Sequence, residues 1–200
     1  MAAVLWQLAG ITGLYGIEPA SPLVLQDAVY ATVGAIFFYY VLVAASEEAV
    51  KHFGFLSGSF PSSGTLQQAL VSGTFVALGF SFVENILYLA TIASSGSVFS
   101  GIYWQTLGYR SVFSTFLHVT CSAMLAVSFF GSFIASDRMT PWMAFRRYLI
   151  YGVGAAILVH AVFNSAMVLG FPGIVFAYLV GGYLYITSIF SSEQTERGYL

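Results

Sequence analysis

The sequence predicts an all-α protein, a polytopic bundle of about six transmembrane helices, and three observations carry that expectation. Of 200 residues, 58% are hydrophobic and only 7% are charged, with a mean hydropathy of +0.86; a water-soluble chain needs about a quarter of its residues charged to wet its surface. The apolar residues fall in continuous runs close to the roughly 20 residues that cross a hydrocarbon core, whereas a membrane barrel would show alternating segments of about ten. Between the runs stand "SGSFPSSG", "SSGSVFSG", "SDRMTP" and "GFPG", whose glycines, prolines and serines break helices and form turns.

In chain order the spans are expected near 2–17, 28–50, 69–93, 109–135, 147–169 and 173–190. The first is short, carries Gly10, Gly13 and Gly16, and stops at "IEPASP". No lysine or arginine precedes it, so a cleaved signal peptide is not supported. Lys51, Arg138, Arg146, Arg147 and Arg197 lie at the ends of even-numbered spans or in the connections after them. By the positive-inside rule, both termini are then cytoplasmic. No repeat, low-complexity stretch or second domain interrupts the chain, so residues 1–200 are expected to form one membrane-embedded domain. A net charge of −2 without a long basic run excludes nucleic acid as a partner; the partners expected are the bilayer and whatever reaches the site within it. Cys121 is the single cysteine and sits in an apolar run, where it is expected to pack. Neither an intrachain disulfide nor a cysteine metal cluster can be built from it.

Ionisable and amide groups interrupt these runs at a few places. Glu47, Glu48, Lys51 and His52 close the second run in "AASEEAVKHFGF"; Glu84 and Asn85 lie in "SFVENILYL", His118 in "STFLHVTCS", and His160 and Asn164 in "LVHAVFNSA". A charge at mid-bilayer costs about 2.5–3.5 kcal/mol on insertion scales, so these groups must face one another or water. Interhelical hydrogen bonds that merely hold a bundle together are the bland alternative, but serine and threonine suffice for those. Residues four apart share a helix face, which places Glu47 beside Lys51, Glu48 beside His52 and His160 beside Asn164. "EEAVKH" could also be a solvated helix end, and Arg110, at the entrance of its span and on the face of His118, could snorkel to the interface. The span limits put Glu47 nearer one membrane face than Glu84.

Carboxylates on two helices, a histidine on each of two others and an amide one turn from the second histidine are equipment for activating water. A buried carboxylate can serve as general base, a neutral imidazole can hold water or pass a proton, and an asparagine amide can donate to a developing oxyanion.

"EEAVK", "FVEN", an arginine eight residues before His118, and "HAVFN", in that order on successive helices over about residues 30–170, resemble the PrsW family of intramembrane proteases, which is similar in turn to the CAAX-processing membrane proteases. The resemblance implies a glutamate-dependent peptidase of a prokaryotic cytoplasmic membrane that cuts membrane-anchored protein or peptide substrates, including signalling factors of the anti-sigma type. It implies a catalytic set of Glu47, Glu48, Glu84, His118, His160 and Asn164, in which Glu47 and Glu48 supply the base, His118 and His160 assist and Asn164 stabilises the oxyanion. Lys51, Asn85 and Arg110 are expected to support them. No cofactor is expected on this reading. The alternative keeps the protease and adds zinc on His118, His160 and Glu47, although no His-Glu-x-x-His helix is present. A non-enzymatic rival, a small transporter or proton relay, would also line its path with such groups.

Overall fold

The computed structural model describes residues 22–59, 64–94, 98, 100–134, 139–169, 171 and 173–196. The expected first span, near 2–17, lies outside them. Among the described residues the chain forms helices α1 (Pro22–Ser59), α2 (Leu66–Ser94), α3 (Gly101–Tyr109), α4 (Thr115–Phe129), α5 (Pro141–Tyr148), α6 (Ala155–Val168) and α7 (Gly173–Glu196). Wide π turns at Arg110–Ser114, Phe130–Ile134 and Leu149–Gly154 extend or join them, so that α3 with α4, and α5 with α6, form two long rods. Val33–Ser57, Leu66–Ser94, Tyr103–Phe133 and Pro141–Val168 are each long and apolar enough to cross a membrane, and Gly173–Ile189 is a shorter apolar helix.

Local chemistry explains the boundaries. Thr65 and Gln68 cap α2 reciprocally, the Thr65 hydroxyl accepting from the Gln68 N–H and the Gln68 carbonyl accepting from the Thr65 N–H, a capping box. Ser100 accepts from Tyr103 N–H at the start of α3, and Thr140 does the same for Met143 with Pro141 at the first helical position of α5. These caps begin the two rods earlier than the sequence pattern predicts. As a result, Arg110 lies a full helix after Gly101 instead of at a span entrance. Similarly, α1 runs through "EEAVKH" to Ser59, well past the expected end near 50. Its charges are buried against the bundle, so nothing stops the helix before the Gly/Ser/Pro segment.

The distribution of side chains is inverted relative to a soluble domain. Phe53, Phe75 and Phe176 are 69–70% exposed while Glu48 is 0% and Lys51 2% exposed, as expected where hydrocarbon is the outer solvent. Helix α2 packs along α4 and α1 along α6. The α2–α4 approach is set by a glycine: a Cβ at Gly73 would stand 3.1 Å from the Ser122 carbonyl oxygen, the close backbone contact that small residues permit in membranes. Phe55, Leu70, Leu117, Phe129 and Tyr148 belong to the larger apolar core. Tyr40, Val43, Ala44 and Ala161 fill a smaller cluster between α1 and α6. The polar centre lies between the two.

Candidate active site

Four helices bring the expected groups to one place. Glu47, Glu48 and Lys51 come from α1, Glu84 from α2, His118 from α4 and His160 from α6, and all six are buried. This removes the expected difference in depth between Glu47 and Glu84, because α1 continues beyond both Glu47 and Lys51. The rings of His118 and His160 meet edge to face at 5.0 Å between centroids, and Phe80 closes the other side of His118 at 5.3 Å.

Pairing within α1 differs from the expected four-residue spacing. Lys51 binds Glu48 Oε1, three residues away, rather than Glu47. His52 accepts or donates at Nδ1 with the Tyr148 hydroxyl rather than lying against Glu48. Residues three apart also share a helix face, and the choice is made by where the bundle lies: the Glu48 and Lys51 side chains both turn inward. A solvated helix end is thereby excluded for this segment.

Hydrogen-bond directions follow from the donor inventory. The Lys51 ammonium can only donate, so His118 Nδ1, 3.1 Å from it, is the acceptor. His118 Nε2 then carries the proton and donates to Glu84 Oε2 at 2.9 Å. At the other histidine, Nδ1 donates to Glu48 Oε1 at 2.7 Å, and Nε2 is turned towards Glu47 Oε2 at 3.4 Å. Glu47 Oε2 is buried with no hydrogen bond, as is Glu48 Oε2. Each imidazole is thus backed by a carboxylate, with its second nitrogen aimed into the centre.

Glu84 is also held by Arg110, whose Nη2 lies 2.8 Å from Glu84 Oε2, while Arg110 Nε donates to Asn85 Oδ1 at 3.0 Å. Arg110 therefore does not snorkel: its side chain is 14% exposed and engaged inside the bundle. Asn164, one turn after His160 on α6, is half-buried and makes no side-chain hydrogen bond among the described residues.

Sequence reasoning overlooked Ser81, Tyr88 and Thr115. Ser81 bonds Thr115 at 2.7 Å and Tyr88 lies 3.6 Å under the Arg110 guanidinium. Ser81 and Tyr88 stand three residues before and four after Glu84, and that spacing alone would have placed them on its face. Cys121 is buried, donates to the Ala156 carbonyl at 3.6 Å, and has an additional position that its sequence context did not reveal: its sulfur lies within 4.8 Å of donor atoms of Glu48 and His160. Glu47, His118 and His160 likewise each offer a donor atom within 4.8 Å of the others.

A helical membrane bundle that encloses carboxylates and imidazoles at its centre, with orienting partners behind each, is a polytopic membrane protein equipped for acid–base chemistry. The family described as PrsW family intramembrane metalloprotease matches residues 1–190. The chain belongs to that family and is an intramembrane peptidase. No curated protein and no solved structure matches it.

Proposed function

We propose that this chain hydrolyses membrane-anchored proteins at a site built on Glu47, His118 and His160, with zinc as the group those three residues hold. The observation that carries this reading is the bare Glu47 Oε2, buried without a donor and 3.4 Å from His160 Nε2. Two electron-pair donors facing each other in a low-dielectric interior need a cation or water between them. The Glu47–His160 pair stands at a separation two ligands of one zinc ion could share, and His118 offers a donor atom within 4.8 Å of both. The chemistry supplied by bound zinc is a water acidified to near neutrality.

The protein's own residues do the rest. Glu48 fixes the orientation of His160 through Nδ1, and Glu84 does the same for His118 through Nε2, the carboxylate–imidazole arrangement that holds metal-ligating histidines. Lys51 neutralises Glu48. The uncommitted Asn164 amide is available to a substrate carbonyl oxygen as negative charge develops on it.

One observation favours a metal-free version in which the glutamates alone activate water: the Lys51 ammonium occupies the His118 Nδ1 lone pair. Elemental analysis of the purified protein in detergent decides between them. We expect one zinc per chain, lost in Glu47→Ala, with cleavage of a single-span substrate abolished by exhaustive chelation and restored by zinc. Full turnover with sub-stoichiometric metal would establish the glutamate version.

The same reading assigns a regulatory substrate, a membrane-anchored signalling factor released by cleavage, and puts both termini in the cytoplasm. Reporter fusions after residues 58 and 140 should give cytoplasmic signals and one after residue 97 an external one; the reverse pattern would invert the bundle.

A further inference from the structure

Resting on the hydrolytic reading above, the geometry points to a positioning clamp in which Tyr88, Arg110, Asn85, Ser81 and Thr115 hold Glu84 against His118. Arg110 sits on a π turn, and Thr115, five residues on, donates its hydroxyl proton to the Arg110 carbonyl at 3.1 Å. A hydroxyl has one proton to give, so Thr115 accepts from Ser81 across their 2.7 Å contact. Ser81 Oγ in turn is the acceptor for Asn85 Nδ2 at 3.5 Å, and Asn85 Oδ1 accepts from Arg110 Nε at 3.0 Å. The circuit begins at the Arg110 side chain and ends at the Arg110 carbonyl. It ties α2 to the α3–α4 rod and fixes which way the Asn85 amide faces.

Tyr88 completes it. Its ring lies 3.6 Å beneath the guanidinium carbon, so the cation is stacked on a π face while its edge is shared between Asn85 and Glu84. With Arg110 held on the face and along the edge, Nη2 meets Glu84 Oε2, and that same oxygen receives the His118 Nε2 proton. The clamp therefore holds the acceptor for His118 Nε2–H in place, backing the tautomer that the Lys51 ammonium selects at Nδ1. None of its five members is a catalytic residue; they act through Glu84 and His118. Lysine cannot replace Arg110 because it lacks the planar fork, and Tyr88 contributes its ring rather than its hydroxyl.

Kinetics and ring 15N NMR on the full-length protein in detergent test the clamp. Tyr88→Leu and Arg110→Lys should each lower kcat about 10- to 100-fold, the range for partners behind active imidazoles, with KM within about two-fold by the argument that substrate is not touched. Tyr88→Phe should restore kcat to within about two-fold of wild type, since the face is retained. The double variant Tyr88→Leu/Arg110→Lys should be no slower than Arg110→Lys alone, as for residues acting as a unit. Additive losses, a Tyr88→Phe variant as poor as Tyr88→Leu, or an unchanged kcat in Tyr88→Leu would overturn the clamp. The Nε2–H signal of His118, assigned with His118→Gln, should be present in wild type and Tyr88→Phe and lost or shifted in Tyr88→Leu. An unaltered signal in Tyr88→Leu would also overturn it. If the wild-type chain cleaves no membrane-anchored substrate, the hydrolytic reading fails, and the NMR comparison still decides the clamp.

Discussion

Glu47 and Glu48 are neighbours in the chain, about 100° apart around α1, and their carboxylates are in opposite situations. Glu48 has one oxygen bound by both Lys51 and His160 Nδ1, and its other oxygen, which makes no hydrogen bond, is fully enclosed with it. Glu47 holds an oxygen with no hydrogen bond and faces the other nitrogen of the same imidazole. One histidine thus separates a carboxylate committed to the fold from one left open for chemistry. The contrast teaches that doubled acidic residues on a helix need not be redundant: a step of one residue exchanges an orienting role for a reacting one.

If that division holds, alanine at the two positions should fail in different ways. Glu47→Ala is expected to lower cleavage by about 10³-fold or more, as loss of a reacting group does, while the thermal stability of the metal-free protein stays within about 1 kcal/mol because no protein partner is stranded. Glu48→Ala strands a buried ammonium, and breaking a buried pair costs about 3–5 kcal/mol. Its melting temperature should fall sharply, and activity should fall with it through the unsupported His160. Matched melting and turnover curves for both variants check this; equal destabilisation by the two changes would erase the distinction.

How much of this was legible beforehand depends on which residues are asked about. The spans were read from run length, and "EEAVK", "VEN", His118 and "HAVFN" were singled out because charge in hydrocarbon demands a partner. Their convergence is geometric and could only be expected. Spacing could not say that Lys51 pairs with Glu48 instead of Glu47, since both offsets lie on a helix face and the neighbouring helices choose. The early starts at Ser100 and Thr140 rest on capping side chains that a hydropathy pattern does not register, which is why that pattern puts Arg110 at a membrane edge. Ser81, Thr115 and Tyr88 carry no charge and look like ordinary span residues; the α2 face that Ser81 and Tyr88 share with Glu84 marks those two, and nothing in the sequence marks Thr115, which lies on α4.

Asn164 extends the comparison to the far side of His160. It shares a face with that histidine and makes no side-chain hydrogen bond among the described residues, so its amide is uncommitted. Asn164→Ala should lower the cleavage rate about 10²-fold while leaving substrate binding and melting temperature nearly unchanged, since an oxyanion contact strengthens only as charge develops. A variant destabilised by roughly 1 kcal/mol with wild-type specific activity would show interhelical glue instead.

Removing both members of the committed pair should cost less stability than removing Glu48 alone. Glu48 and Lys51 are enclosed together, and replacing a buried ion pair by apolar residues of similar volume is commonly neutral or stabilising, because two desolvated charges disappear at once. Glu48→Leu with Lys51→Met should therefore recover most of what the stranded Lys51 ammonium costs in Glu48→Ala, remaining below wild type by about 1–3 kcal/mol for the unpaired His160 Nδ1–H. Cleavage should not recover, because His160 Nδ1 has lost its acceptor and nothing fixes Nε2 towards Glu47. Stability restored without activity would place Glu48 on the structural and orienting side of the imidazole. Restored activity would mean that His160 needs no carboxylate behind it, and the division between the two glutamates would rest on Glu47 alone.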